Sequence, residues 1–543
     1  MKEKELPNIL VLMCDQLRAD TLGIAGHPVV QTPHLDRLAS QSMYFSEAVA
    51  PTPICMASRF SFLMGRRAGQ THVVENALLP GAQPVWPTLM SVLDEAGYRT
   101  HGIGKFHFHR RPFGFHDQEL MEEAVDCLID DHYQMYLREQ GIRTRHPQGL
   151  RDLLYYQPQT SGVPEPHSQN RWVANRSVEF LRQHQRYRKR KPFMLWSSWI
   201  APHPPFAPVE PYDEMVDPAD CPLPVYTDRP LNTLPQNVWQ HRGRLDGAHQ
   251  DPDRMRRIRS LYYGQVSHMD DCIGQVLNEL ENQGLSENTI ILFVSDHGDM
   301  LGDHGLSQKN VPYEASIRIP MMLHWPGKTK PGSVSKDLVS LTDFFPSLIE
   351  ELGLDYPAEL PELPGNNLVG KSGGGLTTPR DHFIIDYGMD ENRWICVRNE
   401  RQKYVYWASG GKEEAYDLER DPEERRNLML EKEPDWVGAM RSAAIAYEKT
   451  DGLGERSLEN NTLRAWPSED IVPPEDFRYL QINDGLWADR LPPDEQHLVE
   501  TYAEAFDRAI SKETTLTPEK LSIDRYRELG GNLTETVWEH AMK

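Results

Sequence analysis

Asn8-Ile9-Leu10-Val11-Leu12-Met13-Cys14-Asp15-Gln16 and Thr289-Ile290-Ile291-Leu292-Phe293-Val294-Ser295-Asp296-His297-Gly298-Asp299 are built to one plan. Each is a continuous apolar run of strand length that stops abruptly at polar residues, the pattern of a strand buried on both faces. Such strands belong to parallel sheets covered by helices, so the pair predicts an α/β fold with a mixed, largely parallel central sheet. Open sheets of this type place their sites at the carboxyl ends of their strands. Asp15, Gln16, Asp296 and His297 are therefore expected to converge there as metal ligands. An Asp that follows a strand is often only a cap or turn residue. Neither stretch carries the reading alone.

A third stretch joins them: Pro51-Thr52-Pro53-Ile54-Cys55-Met56-Ala57-Ser58-Arg59-Phe60-Ser61-Phe62-Leu63-Met64-Gly65. A single cysteine, Ala two residues on and Arg four residues on, in a Ser/Thr/Pro-rich loop entering an apolar helix start, resembles the type I sulfatase signature Cys-x-Pro/Ala-x-Arg. That family lies in the alkaline phosphatase superfamily, with arylsulfatase, phosphonate monoester hydrolase and choline-sulfatase branches. The resemblance implies an alkaline-phosphatase-like fold, with helices flanking the central sheet, a smaller carboxy-terminal α+β subdomain and an extended tail. It also implies that a maturation enzyme oxidises Cys55 to formylglycine. The hydrated aldehyde offers one hydroxyl to attack a sulfate ester and a second whose deprotonation later expels sulfate. Cys55 so modified would join Asp15, Gln16, Asp296 and His297 around one divalent metal, and Arg59 would hold the diol in its turn.

An anionic substrate needs fixed positive charge, yet the chain is acidic, with 58 Lys+Arg against 81 Asp+Glu and a formal charge of -23. Attraction must come from local focusing in a cleft. Three short motifs supply candidates, each resembling a family element: Gly104-Lys105-Phe106-His107, Ala201-Pro202-His203-Pro204-Pro205-Phe206, and Gly305-Leu306-Ser307-Gln308-Lys309. The resemblance implies that Lys105 and Lys309 bind the sulfuryl oxygens and balance their charge. It gives His203, with Lys309, the protonation of the leaving alcohol, and His107 the proton of the second diol hydroxyl. Asn76, in Thr71-His72-Val73-Val74-Glu75-Asn76, resembles a substrate-contacting residue of the phosphonate hydrolase and choline-sulfatase branches; a loop Asn bonding its own backbone fits equally well.

Two positions depart from much of the family, which carries a second Asp where Gln16 stands and Asn where His297 stands. An all-oxygen cage suits calcium. A neutral amide and an imidazole lower the charge and add a nitrogen donor, which brings manganese into competition. The same pair resembles the phosphonate monoester hydrolases. Hydrolysis of sulfate monoesters is thus the favoured function, with phosphonate monoester or phosphodiester hydrolysis on the same site as the alternative. A degenerate anion-binding protein is disfavoured by the intact Cys55, Arg59, carboxylates and lysines.

At 543 residues the chain can bury a large core. The resemblance runs from about residue 7 to 450. The expected organisation is a catalytic domain over 1–375, a Pro- and Gly-rich linker between Pro357 and Pro379, a carboxy-terminal subdomain over 376–455 and an aromatic-rich arm over 456–543. The arm's large aromatics suggest a homo-oligomeric contact. Segment 117–166 carries no family motif and is expected to border the pocket. Six cysteines stand apart with no paired spacing, no leader-like segment precedes the first strand, and no apolar run reaches the ~20 residues a membrane span needs. These features predict a cytoplasmic protein with no membrane partner, and the resemblance implies an enzyme acting on a small sulfate or phosphonate ester, with no nucleic acid as partner.

Overall fold

In the computed structural model the described residues are 6–79, 86–108, 111–123, 131–142, 158–187, 191–227, 235, 238, 252–370 and 374–468. The expected arm lies outside them beyond residue 468. Eight strands form the main sheet: β1 (Asn8–Asp15), β2 (Met43–Val49), β3 (Arg99–Gly104), β4 (Asp117–Leu120), β5 (Phe193–Pro202), β6 (Thr289–Ser295), β7 (Met321–His324) and β8 (Ser333–Ser340). Their order across the sheet is β8-β2-β7-β6-β1-β5-β3-β4. Every neighbouring pair is parallel except those made by β7, which is antiparallel to β6 and β2. The reason lies in the connection. After β6 the chain stays at the carboxyl edge through residues 296–320 with no long crossover helix, and a strand that starts at that edge can only run back.

The two apolar runs are the sheet's centre, and their alternation divides them between two layers. Ile9, Val11 and Met13 point to one face with Ile290, Leu292 and Val294, against Phe60, Phe62, Leu63, Leu89, Leu93, Phe344 and Phe345. Leu10, Leu12 and Cys14 point to the other with Ile291 and Phe293, against Leu35, Leu38, Trp172, Leu181, Ile258, Val266 and Ile273. Each fully buried side chain of this kind contributes about 1.5–3 kcal/mol of transfer free energy. A strand apolar on both faces is therefore stable only between two helical layers. The second layer's long helix spans Pro252–Asn282. Thr88 caps the helix Leu89–Glu95 by accepting from Ser91 N, and Gly97 beyond it takes a φ of +89°.

Residues 383–417 form a second sheet, an antiparallel meander of β9 (Phe383–Tyr387), β10 (Trp394–Arg398), β11 (Gln402–Trp407) and β12 (Lys412–Asp417). One face packs on the helix Val437–Thr450 through Val437, Met440, Ala444 and Tyr447. The other packs, through Phe383, Ile385, Trp394, Val405 and Trp407, on Met300, Leu306, Val311, Tyr313 and Ile317 of the loop after β6. Buried ion pairs lock the contact, Arg398 with Glu314 and Lys403 with Glu314 and Glu424. The Pro- and Gly-rich stretch expected as a linker does not span freely. Leu368, Val369 and Leu376 are buried in the Phe344 layer, and Arg380 pairs with Asp343.

Candidate active site

Register sets the site. Along β1 and β6, Asn8 pairs with Thr289 and Cys14 with Ser295, so Asp15 and Asp296 leave the sheet at one level. On the other side Met13 pairs with Ser198 of β5, which pairs with Gly104 of β3, so Lys105 and His203 emerge at the same edge. Gln16 turns the chain through a left-handed φ of +68°. Tyr262 holds that turn: its hydroxyl donates to Gln16 O at 2.9 Å and accepts from Arg18 N at 3.0 Å.

Cys55 is the first residue of the helix Cys55–Met64, all ten residues of which are buried. A helix amino terminus favours an anion through its free amides and its dipole. Asn76 serves this end by accepting from Met56 N at 3.0 Å, so its oxygen is spent on the helix that carries Cys55. The Cys55 Sγ lies 3.2 Å from His297 Nε2 and 3.7 Å from Asp15 Oδ1, and it also contacts His107. Burial pushes this thiol up, but Lys105, Lys309 and His297 outweigh it and hold the thiol well below its ordinary range.

Asp15, Cys55, Asp296 and His297 are buried, and their donor atoms all lie within 4.8 Å of one another. His297 Nε2 is 3.6 Å from both Asp15 Oδ1 and Asp296 Oδ1. His297 Nδ1 lies 3.0 Å from Gly298 O, a contact that aims Nε2 at the group. Burial and then the neighbouring Asp15 charge push the Asp296 carboxyl above its usual range. Two carboxylates, an imidazole and a thiol so crowded form a donor set that fits one divalent cation. Gln16 sits beside this set with its amide otherwise engaged. It donates to Asp299 at 2.5 Å and accepts from Lys309 Nζ at 2.6 Å.

Arg59, without exposed surface, braces the carboxylates. Its Nε donates to Asp296 Oδ2 at 2.7 Å and one terminal nitrogen reaches Asp15 Oδ2 at 3.4 Å. The other terminal nitrogen donates to Lys105 O at 2.6 Å and Ser198 Oγ at 2.9 Å. Lys105 Nζ pairs with Asp15 and, at 2.5 Å, with Glu123. Lys309 Nζ lies 2.9 Å from His203 Nε2, and His203 Nδ1 lies 2.7 Å from Pro204 O. Donation by Nδ1 to that carbonyl leaves Nε2 as the acceptor facing Lys309. Burial, with Lys309 adding to it, lowers the His203 pKa. The second sheet steadies Lys309, because Trp394 Nε1 donates to Asn310 O at 2.9 Å and Asn310 N to Pro53 O at 3.1 Å.

The structure thus brings Asp15, Cys55, Arg59, Lys105, His107, His203, Asp296, His297 and Lys309 to one strand edge, with Gln16 bonded directly to that group and Asn76 bonded to Met56 beside it. The sequence reading missed Tyr262, Ser198 and Glu123. Glu123 had a signal: it follows an edge strand at the level of Lys105, inside the segment expected to border the pocket.

An eight-stranded mixed sheet with such a cluster at its carboxyl edge defines an alkaline-phosphatase-like hydrolase. The family model described as Sulfatase matches residues 7–354, and that for the carboxy-terminal part of N-sulphoglucosamine sulphohydrolase matches residues 302–445. An arylsulfatase of Clostridium perfringens is 31% identical over 488 residues, covering 84% of this chain and 97% of that protein. A choline-sulfatase of Rhizobium meliloti is 29% identical over 437 residues, covering 78% and 82%. The fold is also that of the phosphonate monoester hydrolase of Agrobacterium radiobacter, with a TM-score of 0.67 at 23% identity over 81% of this chain and 94% of that one. The chain belongs to the sulfatase family, the sulfuric ester hydrolases of the alkaline phosphatase superfamily.

Proposed function

We propose that the chain hydrolyses sulfate monoesters at the Cys55 pocket, with Cys55 converted to formylglycine by a maturation enzyme and one divalent metal held by Asp15, Asp296, His297 and the modified Cys55, Gln16 adjoining. The observation that carries this reading is the convergence of a thiol at a helix amino terminus with a buried donor set and two lysines. The aldehyde, hydrated, would supply the nucleophilic oxygen that a thiol lacks. The metal would supply Lewis acidity toward that oxygen and a sulfuryl oxygen.

The chain's own groups do the rest. Arg59 fixes both carboxylates and faces position 55. Lys105 and Lys309 place fixed positive charge at the sulfuryl oxygens, where a buried pocket enlarges its effect. The Lys309 and His203 pair shares a proton at Nε2 and delivers it to the departing alcohol oxygen. His107, in contact with position 55, takes a proton there when sulfate leaves. Phosphonate monoester or phosphodiester hydrolysis is the second reading, favoured by the neutral Gln16 and the imidazole of His297, which lower the charge of the metal set. Steady-state kinetics on paired aryl sulfate and phenylphosphonate substrates, with formylglycine content measured by peptide mass, tests both. Turnover of neither substrate by fully modified, metal-loaded protein would sink the proposal.

Two results are expected from this assignment. Chelation abolishes activity, and manganese restores it at least as well as calcium, because an imidazole donor suits the softer ion. Restoration by calcium alone would count against the His297 argument. His203→Ala slows esters of poor leaving groups by about 10²-fold or more while nearly sparing activated aryl esters, since general acid catalysis scales with charge on the departing oxygen. An equal loss on both substrate types would reassign His203 to binding.

A further inference from the structure

Among the described residues, Glu123 is a carboxylate outside the donor set and brace just described that reaches Lys105 and His203. Its backbone is pinned: Leu120 of β4 pairs with Gly104, Met121 N donates to Gly104 O at 3.1 Å, and Glu122 Oε1 accepts from Phe106 N and His107 N at 3.2 and 3.0 Å. Those bonds fix the segment to the Lys105 loop and aim the next side chain inward. Glu123 Oε2 lies 2.5 Å from Lys105 Nζ and 3.4 Å from His203 Nε2, and a Glu123 oxygen lies within 4.8 Å of Cys55 Sγ. Its side chain is 15% exposed, against none for Lys105.

These are the partners that a sulfuryl group poised over position 55 would take. A sulfate oxygen bonded to Lys105 and His203 would fall on the Glu123 carboxylate or in contact with it, and two anions so close in a buried site repel strongly. We infer that Glu123 is a tethered anion that competes with substrate and product for Lys105 and His203, and so sets the affinity of the pocket for sulfate. This inference rests on the sulfatase reading. Its functional consequence is a filter. A bare anion gains little by displacing Glu123, whereas an ester whose alcohol makes its own contacts at the mouth displaces it readily. Once the alcohol has left, Glu123 returns and helps expel sulfate.

The test uses the full-length, formylglycine-bearing, metal-loaded enzyme and its Glu123→Gln and Glu123→Asp variants. The readouts are KM and kcat for an aryl sulfate and the competitive inhibition constant of inorganic sulfate. Glu123→Gln keeps the shape and removes the charge, so KM and the inhibition constant should both fall about tenfold or more, with kcat moving less. Glu123→Asp keeps the charge one methylene farther back and should fall between the two. An inhibition constant unchanged or raised in Glu123→Gln would overturn the inference while wild-type turnover leaves the sulfatase reading standing. Wild-type enzyme that neither turns over aryl sulfate nor binds sulfate would overturn both.

Discussion

Cys55→Ala is expected to lower turnover of an aryl sulfate by about 10⁴-fold or more, the scale on which removal of a nucleophile acts when the other groups of its unit remain. The residual rate would come from Lys105, Lys309 and the metal set acting on water. Cys55→Ser separates the two halves of the reaction, because a serine hydroxyl can be sulfated once but carries no second hydroxyl to drive release. It should give a single stoichiometric burst of alcohol and then stop. Serine matches cysteine in shape and alanine removes a single heavy atom, so both variants should unfold close to wild type in urea. Sustained turnover by the serine variant, or full activity with an unmodified thiol, would refute the assignment of position 55.

Arg59→Ala is expected to have the largest effect on stability, about 3–5 kcal/mol, the range found when one partner of a buried ion pair is removed. Asp15 and Asp296 have no exposed surface. The substitution leaves both beside a cavity with no guanidinium to offset their charge, and it frees Lys105 O and Ser198 Oγ as well. Arg59→Lys keeps the charge but loses the fork that reaches four acceptors, so it should recover only part of the loss. Urea unfolding of metal-free protein measures this. A midpoint shift equivalent to less than about 0.5 kcal/mol would place Arg59 among ordinary surface arginines and remove it from the brace. Metal should narrow the gap between wild type and Arg59→Ala, since a cation at the same carboxylates offsets the charge that the arginine balanced.

The sheet's centre was legible because it obeys a local rule. A strand buried on both faces must be apolar along its run, and residues 9–14 and 290–294 are. The ends of those runs gave the level of the site, since a charge without a partner is costly inside the sheet and both runs turn polar only where the strand leaves it. The signature at Cys55 and Arg59 was legible because a resemblance in residue type and spacing survives without any knowledge of packing. The packing of the segment between Pro357 and Pro379 was not legible, for the opposite reason. Prolines and glycines mark turns equally well in a free span and in a packed one, and only the partners of Leu368 and Leu376 decide between them.

The sequence by itself determined the layer architecture and the chemical types that gather at one strand edge, because periodicity and residue chemistry are properties of the chain alone. It did not determine pairing. That Gln16 meets Lys309 and Asp299, that Asn76 caps the Cys55 helix, that Tyr262 holds the turn after β1 and that Glu123 faces Lys105 were decided by tertiary structure. Each of these contacts joins residues that lie 18 to 293 positions apart in the chain. A hydrogen bond is made or lost over less than an ångström, and strand register and helix placement, which fix distance at that scale, arise only when the whole core packs.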